Sequence, residues 1–151
     1  MAQEAAGAEL ALVSRWLVDT GPLVAYLDAH DPAHAKVAGC LGGFTGSLVT
    51  TSAVVTETMH FVAPDRSGPR RLAELVETTG LEVFDLSRPP ELYEAVGLME
   101  RYADTPMDFA DATLVLLAEA LEVHDILTLD LRGFATYRTR DNRALQLVMV
   151  V

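Results

Sequence analysis

Basic residues, cysteine and long apolar runs are all scarce in this sequence. Its 151 residues include 11 Lys and Arg against 22 Asp and Glu, a formal charge of −11, which disfavours direct binding of nucleic acid through a basic surface. The single cysteine, Cys40, excludes an intrachain disulfide and favours a reducing, cytoplasmic location. No apolar run approaches the roughly 18 residues of a membrane span, so we expect no membrane association. The start "MAQEAAGAELALVSR" lacks the basic residues that open a signal peptide.

Hydrophobic residues are plentiful, at 50% of the chain. Short apolar runs that predict strands, such as "RWLV" and "ILTL", alternate with helical patterns such as "SAVVTETMHFV". The alternation predicts an α/β fold of three layers, α/β/α, in which a mainly parallel central sheet is covered on both faces. We expect a single domain over residues 16–151, preceded by an N-terminal extension over residues 1–15.

Three acidic residues have settings that solvated helix faces do not explain. Asp19 and Asp130 each end an apolar run, and sites in parallel sheets form beyond the carboxyl ends of strands. Glu57 borders the apolar stripe of its predicted helix. Each residue also has a structural interpretation, as a turn or helix cap for the two aspartates and as a solvated edge residue for Glu57.

Two further aspartates stand three residues apart in the apolar stretch "MDFADATLVLLAEAL". On a helix this spacing places the side chains roughly 60° apart, on one face. The segment "TPMD" predicts a capping box with Thr105 as N-cap, Pro106 at the first helical position and Asp108 at the third. Asp111 would then lie beyond the first turn among apolar residues, where a carboxylate needs a positive partner. A metal ion is the simplest partner, and carboxylate oxygens select Mg²⁺ or Mn²⁺.

Four motifs resemble the PIN-domain family, in particular the VapC-like toxin ribonucleases of toxin–antitoxin pairs. In chain order they are "LVDTGPLVAYLDAHDPAH", "SAVVTETMHFV", "MDFADATLVLLAEAL" and "ILTLDLRGF". Each motif alone is weak, whereas the ordered set with its spacing is specific, and it runs from about Trp16 to Tyr137.

The resemblance implies a metal-dependent site at four acidic positions: Asp19, Glu57, Asp111 and Asp130. Asp108 matches a position that only some members keep acidic, and it joins the catalytic set on that basis. Members of the family hydrolyse RNA with Mg²⁺ or Mn²⁺, commonly as homodimers, and the toxins are inhibited by a small antitoxin protein. The resemblance therefore implies an endoribonuclease toxin with RNA as substrate and an antitoxin as partner. The alternative is a degenerate domain of the same fold that binds RNA or protein without cutting.

Other interpretations are weaker. A haloacid-dehalogenase-like phosphatase needs a second aspartate two residues after the first, and Gly21 stands there instead. His30 and His34 are spaced to bind zinc, although surface histidines explain them better. Thr20 and Thr128 match the small hydroxyl residues often found beside the acids in the resembling family. Two groups of arginines are as consistent with a solvated surface as with a nucleic-acid footprint: Arg66, Arg70 and Arg71, and then Arg132, Arg138, Arg140 and Arg143.

Overall fold

A computed structural model describes residues 14–149 of the chain. Its sheet contains five strands: β1 (Arg15–Val18), β2 (Ser47–Thr51), β3 (Glu82–Phe84), β4 (Asp125–Leu127) and β5 (Gln146–Leu147). The helices of the described residues are α1 (Thr20–Leu27), α2 (His34–Gly42), α3 (Ser52–Val62), α4 (Gly68–Thr79), α5 (Pro89–Arg101), α6 (Phe109–Leu121) and α7 (Leu131–Thr136). Most of the predicted extension over residues 1–15 lies outside the described residues, so that boundary stays a prediction.

The strands lie in the order β3-β2-β1-β4-β5, and every neighbouring pair is parallel. The predicted three-layer α/β/α fold with a mainly parallel sheet is confirmed. From β1 the chain builds outward to β3, and it then returns to the other side of β1 with β4. Such a reversal is the switch point at which open α/β sheets bind ligands, beyond the carboxyl ends of the strands.

The core is built around α6, which is apolar on nearly every side and correspondingly enclosed. Every residue from Ala112 to Ala118 is buried. The one hydroxyl in that run, Thr113 Oγ1, donates to the Ala110 carbonyl at 2.6 Å and lies 2.8 Å from Thr51 Oγ1 at the end of β2. Because α6 is packed against other elements on all sides, its position is fixed, and its first turn lies at the carboxyl edge of the sheet.

The predicted beginning of α6 is wrong. The helix begins at Phe109, and its N-cap is Asp108 rather than Thr105. The reason lies far along the chain, where the hydroxyl of buried Tyr137 donates to the Pro106 carbonyl at 2.7 Å. That contact occupies a carbonyl which a helix beginning at Pro106 would have used, and the chain stays extended as far as Asp108.

The neighbouring helices begin at capping contacts of their own. α2 begins at His34, after a turn in which the Asp31 carboxylate accepts the Ala33 N–H at 2.8 Å. The cap of α3 is Thr51, whose hydroxyl accepts the Val54 N–H. The short helix α7 was not predicted at all. Within residues 14–149, no helix has both the length and the hydropathy needed to span a membrane.

Candidate active site

A cleft of about 450 Å³ at the carboxyl edge of the sheet brings all five predicted acids together. Its acidic lining consists of Asp19, Asp31, Glu57, Asp108, Asp111 and Asp130, and we call it the acidic cleft. Asp19 follows β1 and Asp130 follows β4 by three residues, so the switch point of the sheet supplies two of the acids. Glu57 comes from α3, and the remaining pair comes from the beginning of α6. Among residues 14–149, no lysine or arginine lines this cleft.

Asp19 is the most enclosed acid, with 7% of its surface exposed. It is the N-cap of α1: Oδ1 accepts the Thr20 N–H at 2.8 Å, and Oδ2 accepts the Thr128 hydroxyl at 2.8 Å. Burial raises the pKa of Asp19 to about 6, while these two hydrogen bonds oppose the rise. The carboxylate is therefore fixed in position but poorly stabilised as an anion.

Asp108 and Asp111 form a reciprocal capping box. The Asp111 N–H donates to Asp108 Oδ1 at 2.8 Å, and the Asp108 N–H donates to Asp111 Oδ2 at 3.1 Å. Our expectation that Asp111 lies beyond the reach of capping is wrong, since it occupies the third position of the helix. Capping alone nevertheless leaves its electrostatics unexplained. Burial, and then the charge of Asp108, raise the pKa of Asp111 to about 8.

Glu57 faces this pair from α3. Partial burial raises the pKa of Glu57, and the neighbouring Asp108 raises it further, whereas the Thr20 hydroxyl acts in the opposite direction. Thr20 Oγ1 is itself buried and has no hydrogen-bond partner among the described residues, although it lies near enough to Glu57 to influence it. A buried hydroxyl without a partner is uncommon in a folded protein, and Thr20 Oγ1 is a further oxygen available to a group bound in the cleft.

Asp130 is tied to Asp19 through one threonine. The Asp130 N–H donates to Thr128 Oγ1 at 3.0 Å, and that same hydroxyl donates to Asp19. The Asp130 carboxylate is the N-cap of α7 and accepts the Gly133 N–H at 3.1 Å. A side chain at position 133 would lie too close to this carboxylate and would displace it. Thr128 and Gly133 thus hold two acids on neighbouring strand ends.

Two features of the cleft escaped sequence reasoning. Asp31 lines it, but its carboxylate is already engaged by the Ala33 N–H, and nothing in the sequence separated it from an ordinary cap. A larger and mainly apolar cleft of about 720 Å³ adjoins the acidic cleft and shares Glu57, Phe61 and Asp108 with it. Phe61 is 58% exposed at this junction, an unusual position for a large apolar side chain.

The acidic cleft supplies the carboxylate and hydroxyl oxygens that hard divalent cations prefer as ligands. Within residues 14–149 no three His, Cys, Asp or Glu side chains are already arranged around one metal position. Mg²⁺ does not require such a cage, because it usually takes one or two carboxylates and keeps several waters. The raised pKa values of Asp19 and Asp111 and the unpartnered Thr20 hydroxyl indicate a cluster of oxygens that lacks a positive partner. His34 Nδ1 bonds the Ala25 carbonyl at 2.8 Å, which leaves only Nε2 of that ring as a possible metal ligand.

Comparison with known proteins identifies a family and solved structures of similar fold. The sequence model of the PIN domain family matches residues 16–139. The chain is 35% identical over 124 residues to Ribonuclease VapC26 of Mycobacterium tuberculosis, an alignment covering 81% of this chain and 91% of that protein. Its fold resembles that of M. tuberculosis VapC20, a toxin that cleaves the sarcin–ricin loop, with a TM-score of 0.69 at 20% identity over 80% of this chain and 92% of that one. VapBC2 from Rickettsia felis, solved bound to a DNA fragment from its promoter, gives a TM-score of 0.59 at 14% identity over 88% and 96% of the two chains.

Proposed function

The chain belongs to the PIN-domain family, and from this premise we propose that it is a Mg²⁺- or Mn²⁺-dependent endoribonuclease, the toxin of a type II toxin–antitoxin pair. The observation that carries the proposal is the acidic cleft itself. Six acids line one cavity, and within the described residues no lysine or arginine lines it with them. Like charges are gathered in this way when a cation joins them, and acid-bound divalent ions are the usual apparatus of phosphodiester cleavage.

The proposed roles follow from the positions of the carboxylates. Asp19, Glu57, Asp111 and Asp130 would hold the cation, which supplies Lewis-acid stabilisation of the charge that develops on the phosphate. Thr128 orients Asp19 through its hydroxyl, and it accepts the N–H of Asp130. Asp108 is the helix cap that presents Asp111, so it acts by positioning.

We assign to Glu57 the role of general base, which takes a proton from the attacking water. One oxygen of its carboxylate can take a proton while the other holds the cation, and its partial exposure leaves room for a water molecule. Glu57 takes the proton of a water whose oxygen forms a bond to phosphorus while the bond from phosphorus to the 3′ oxygen breaks. That 3′ oxygen leaves and takes a proton from solvent water. The products carry a 5′-phosphate and a 3′-hydroxyl, with no covalent enzyme intermediate.

The test is cleavage of end-labelled RNA by the wild-type chain and by Asp111→Asn, with Mg²⁺, with Mn²⁺ and with EDTA. Wild type should cleave only with metal, and its products should be substrates for ligation through a 5′-phosphate. Cyclic phosphate ends, or full activity in EDTA, would refute the mechanism. Tight binding of RNA by the wild type without any cleavage in either metal would instead favour the degenerate binding module. That alternative predicts the loss of one or more acids, whereas all four matched acids are retained.

An antitoxin partner is the second part of the proposal. The acidic cleft offers carboxylates to a basic side chain, and an arginine could pair with Asp19 or Asp111 in two parallel hydrogen bonds. The adjoining apolar cleft, with Phe61 at its edge, could take apolar residues of the same peptide. Inhibition that survives neutralisation of every arginine and lysine in the toxin-binding segment of the antitoxin would contradict this mode.

A homodimer is the third part. Leu92, Tyr93 and Val96 share one face of α5 and are exposed, Tyr93 to 81%. Contiguous apolar side chains on a surface are typical of a protein interface. Light scattering at micromolar concentration should give about twice the 16.3 kDa of one chain, and Tyr93→Glu should reduce the mass to that of a monomer. A wild-type monomer would rule the dimer out. A cytoplasmic location stays a prediction.

A further inference from the structure

Three of the seven arginines in the two sequence groups are already engaged within the protein through their side chains. Arg140 pairs with Glu94 at 3.0 Å and with Glu119 at 2.8 Å. Arg138 Nη1 donates to three carbonyls at the end of α7, and Arg71 Nη1 donates to the Leu27 carbonyl at 2.7 Å. These contacts are structural, so the arginine-rich stretch as a whole is not a binding surface.

Two basic side chains beside the acidic cleft have no such partner. Arg132, in the first turn of α7, and Lys36, in the first turn of α2, are exposed, and neither side chain makes a hydrogen bond or ion pair within residues 14–149. Arg132 lines a small cleft of about 150 Å³ that shares Asp130 with the acidic cleft. Lys36 lines another, of about 270 Å³, that shares Leu129 with it.

We propose that Arg132 and Lys36 bind the phosphates on either side of the scissile phosphate of a single-stranded RNA, so that the strand crosses the acidic cleft along the segment between β4 and α7. This inference rests on the proposed ribonuclease function. RNA is a polyanion, and its binding here is opposed by electrostatic repulsion. The chain carries a formal charge of −11, and its acids line the cleft that would receive the RNA. The scissile phosphate meets the acids through a cation, but its neighbours require cationic side chains of their own.

The segment between the two clefts is suited to such a path. Leu129 and Leu131 are 37% and 40% exposed, and both line the cleft of Lys36. Apolar side chains between two cations offer a surface on which a base can rest while the backbone is held at both sides. Arg132 and Lys36 are therefore positioning residues, which act on substrate affinity and register rather than on the reacting bond.

The experiment measures binding of a fluorescent, mixed-sequence, single-stranded RNA of about sixteen nucleotides by polarisation at several salt concentrations. Every protein carries Asp111→Asn so that the RNA stays intact. On this background Lys36→Gln and Arg132→Gln should each weaken binding about fivefold at low salt and lower the slope of log affinity against log salt by about 0.7, the value for one lost phosphate contact on a single strand. Arg132→Lys keeps the charge and should retain the slope.

Arg66→Gln is the matched control. Arg66 lies in the turn between α3 and α4, is exposed, makes no ion pair within the described residues and lines none of the clefts described above. The Arg66→Gln substitution removes one positive charge, as the other two do, and should leave the slope of log affinity against log salt unchanged. Equal effects of all three glutamine variants would overturn the proposal, because they would indicate a diffuse electrostatic attraction. An absence of RNA binding, or an effect on binding of a protein partner alone, would overturn it as well.

A second readout separates this proposal from the ribonuclease assignment. With Asp111 intact, Lys36→Gln and Arg132→Gln should raise KM for RNA cleavage severalfold and leave kcat near the wild-type value. If the wild type cleaves no RNA while the two slopes still fall, the phosphate contacts stand and the catalytic assignment fails. If cleavage is normal and neither KM nor slope changes, the catalytic assignment stands and the phosphate contacts are wrong.

Discussion

Helices α5 and α6 begin with the same backbone contact and opposite electrostatics. At α5 the Glu91 carboxylate accepts the Arg88 N–H at 3.0 Å, and at α6 the Asp111 carboxylate accepts the Asp108 N–H at 3.1 Å. Glu91 also accepts the Arg88 guanidinium at 2.7 Å, which lowers the pKa of Glu91. Asp111 has a second carboxylate as its neighbour, and burial together with that charge raises its pKa.

The beginnings of α5 and α6 show how an ordinary helix cap differs from a candidate site. A carboxylate in the first turn is favourable by itself, through the capping contact and the helix dipole. At α5 the surroundings add to that benefit. At α6 they oppose it, because the packing that buries the helix on every side also takes water away from Asp111. We therefore propose that Asp111 has a role other than stability, since it lies where the order of the sheet reverses.

The largest expected effect comes from removing the charge at α6. Asp111→Asn keeps the oxygen that accepts the Asp108 N–H, so the helix start should persist. RNA cleavage should fall by at least about 100-fold, since even the outer partners of a metal site contribute 10- to 100-fold. The metal-free protein should be equally or more stable, and the rise in melting temperature on adding Mg²⁺ should largely disappear. Glu91→Gln, the same change at the same position of α5, is the control and should leave cleavage intact.

The second expected effect is a dependence of stability on pH. A carboxyl whose pKa is higher in the folded than in the unfolded state binds more protons when folded, so stability falls as pH rises. For Asp19 this loss runs from its ordinary value of 3.8 to about 6, and for Asp111 from 3.8 to about 8. The melting temperature of the metal-free wild type should therefore decline between pH 4 and pH 8 relative to Asp111→Asn. Parallel curves in EDTA would show that Asp111 has no raised pKa.

The sequence predicted which acids lie together in the cleft, but it did not predict their capping contacts or their pKa shifts. Asp19 and Asp130 were placed together by a rule about strand ends, which depends only on local runs of apolar residues and the order of elements. The cap of α6 was predicted wrongly because a hydroxyl 31 residues away, on Tyr137, occupies the Pro106 carbonyl. The raised pKa of Asp111 depends likewise on packing from distant elements, which no local pattern records.

A third, smaller effect distinguishes the two roles of Asp108. Asparagine is as good an N-cap as aspartate, so Asp108→Asn should leave stability nearly unchanged while it lowers the pKa of Asp111 toward its ordinary value. Asp108→Ala removes the cap as well and should cost about 1 kcal/mol. Urea unfolding of both variants in EDTA gives the comparison, and both should lose less cleavage activity than Asp111→Asn. If Asp108→Asn abolishes cleavage completely, Asp108 contacts the metal or the RNA directly.

The smallest expected effect is obtained by making the start of α5 resemble that of α6. Arg88→Asp replaces an exposed ion pair with an aspartate that can cap the helix, and it places a second carboxylate beside Glu91, as Asp108 lies beside Asp111. Little change in melting temperature is expected, since exposed ion pairs contribute little and a cap is gained. The pKa of Glu91, followed by NMR titration, should return to its ordinary range and go no further, because water around α5 screens the new repulsion. If the pKa of Glu91 rose as much as that of Asp111, a neighbouring charge would be enough to raise a carboxyl pKa without burial. The raised pKa of Asp111 would then be caused by the capping box rather than by the surrounding core.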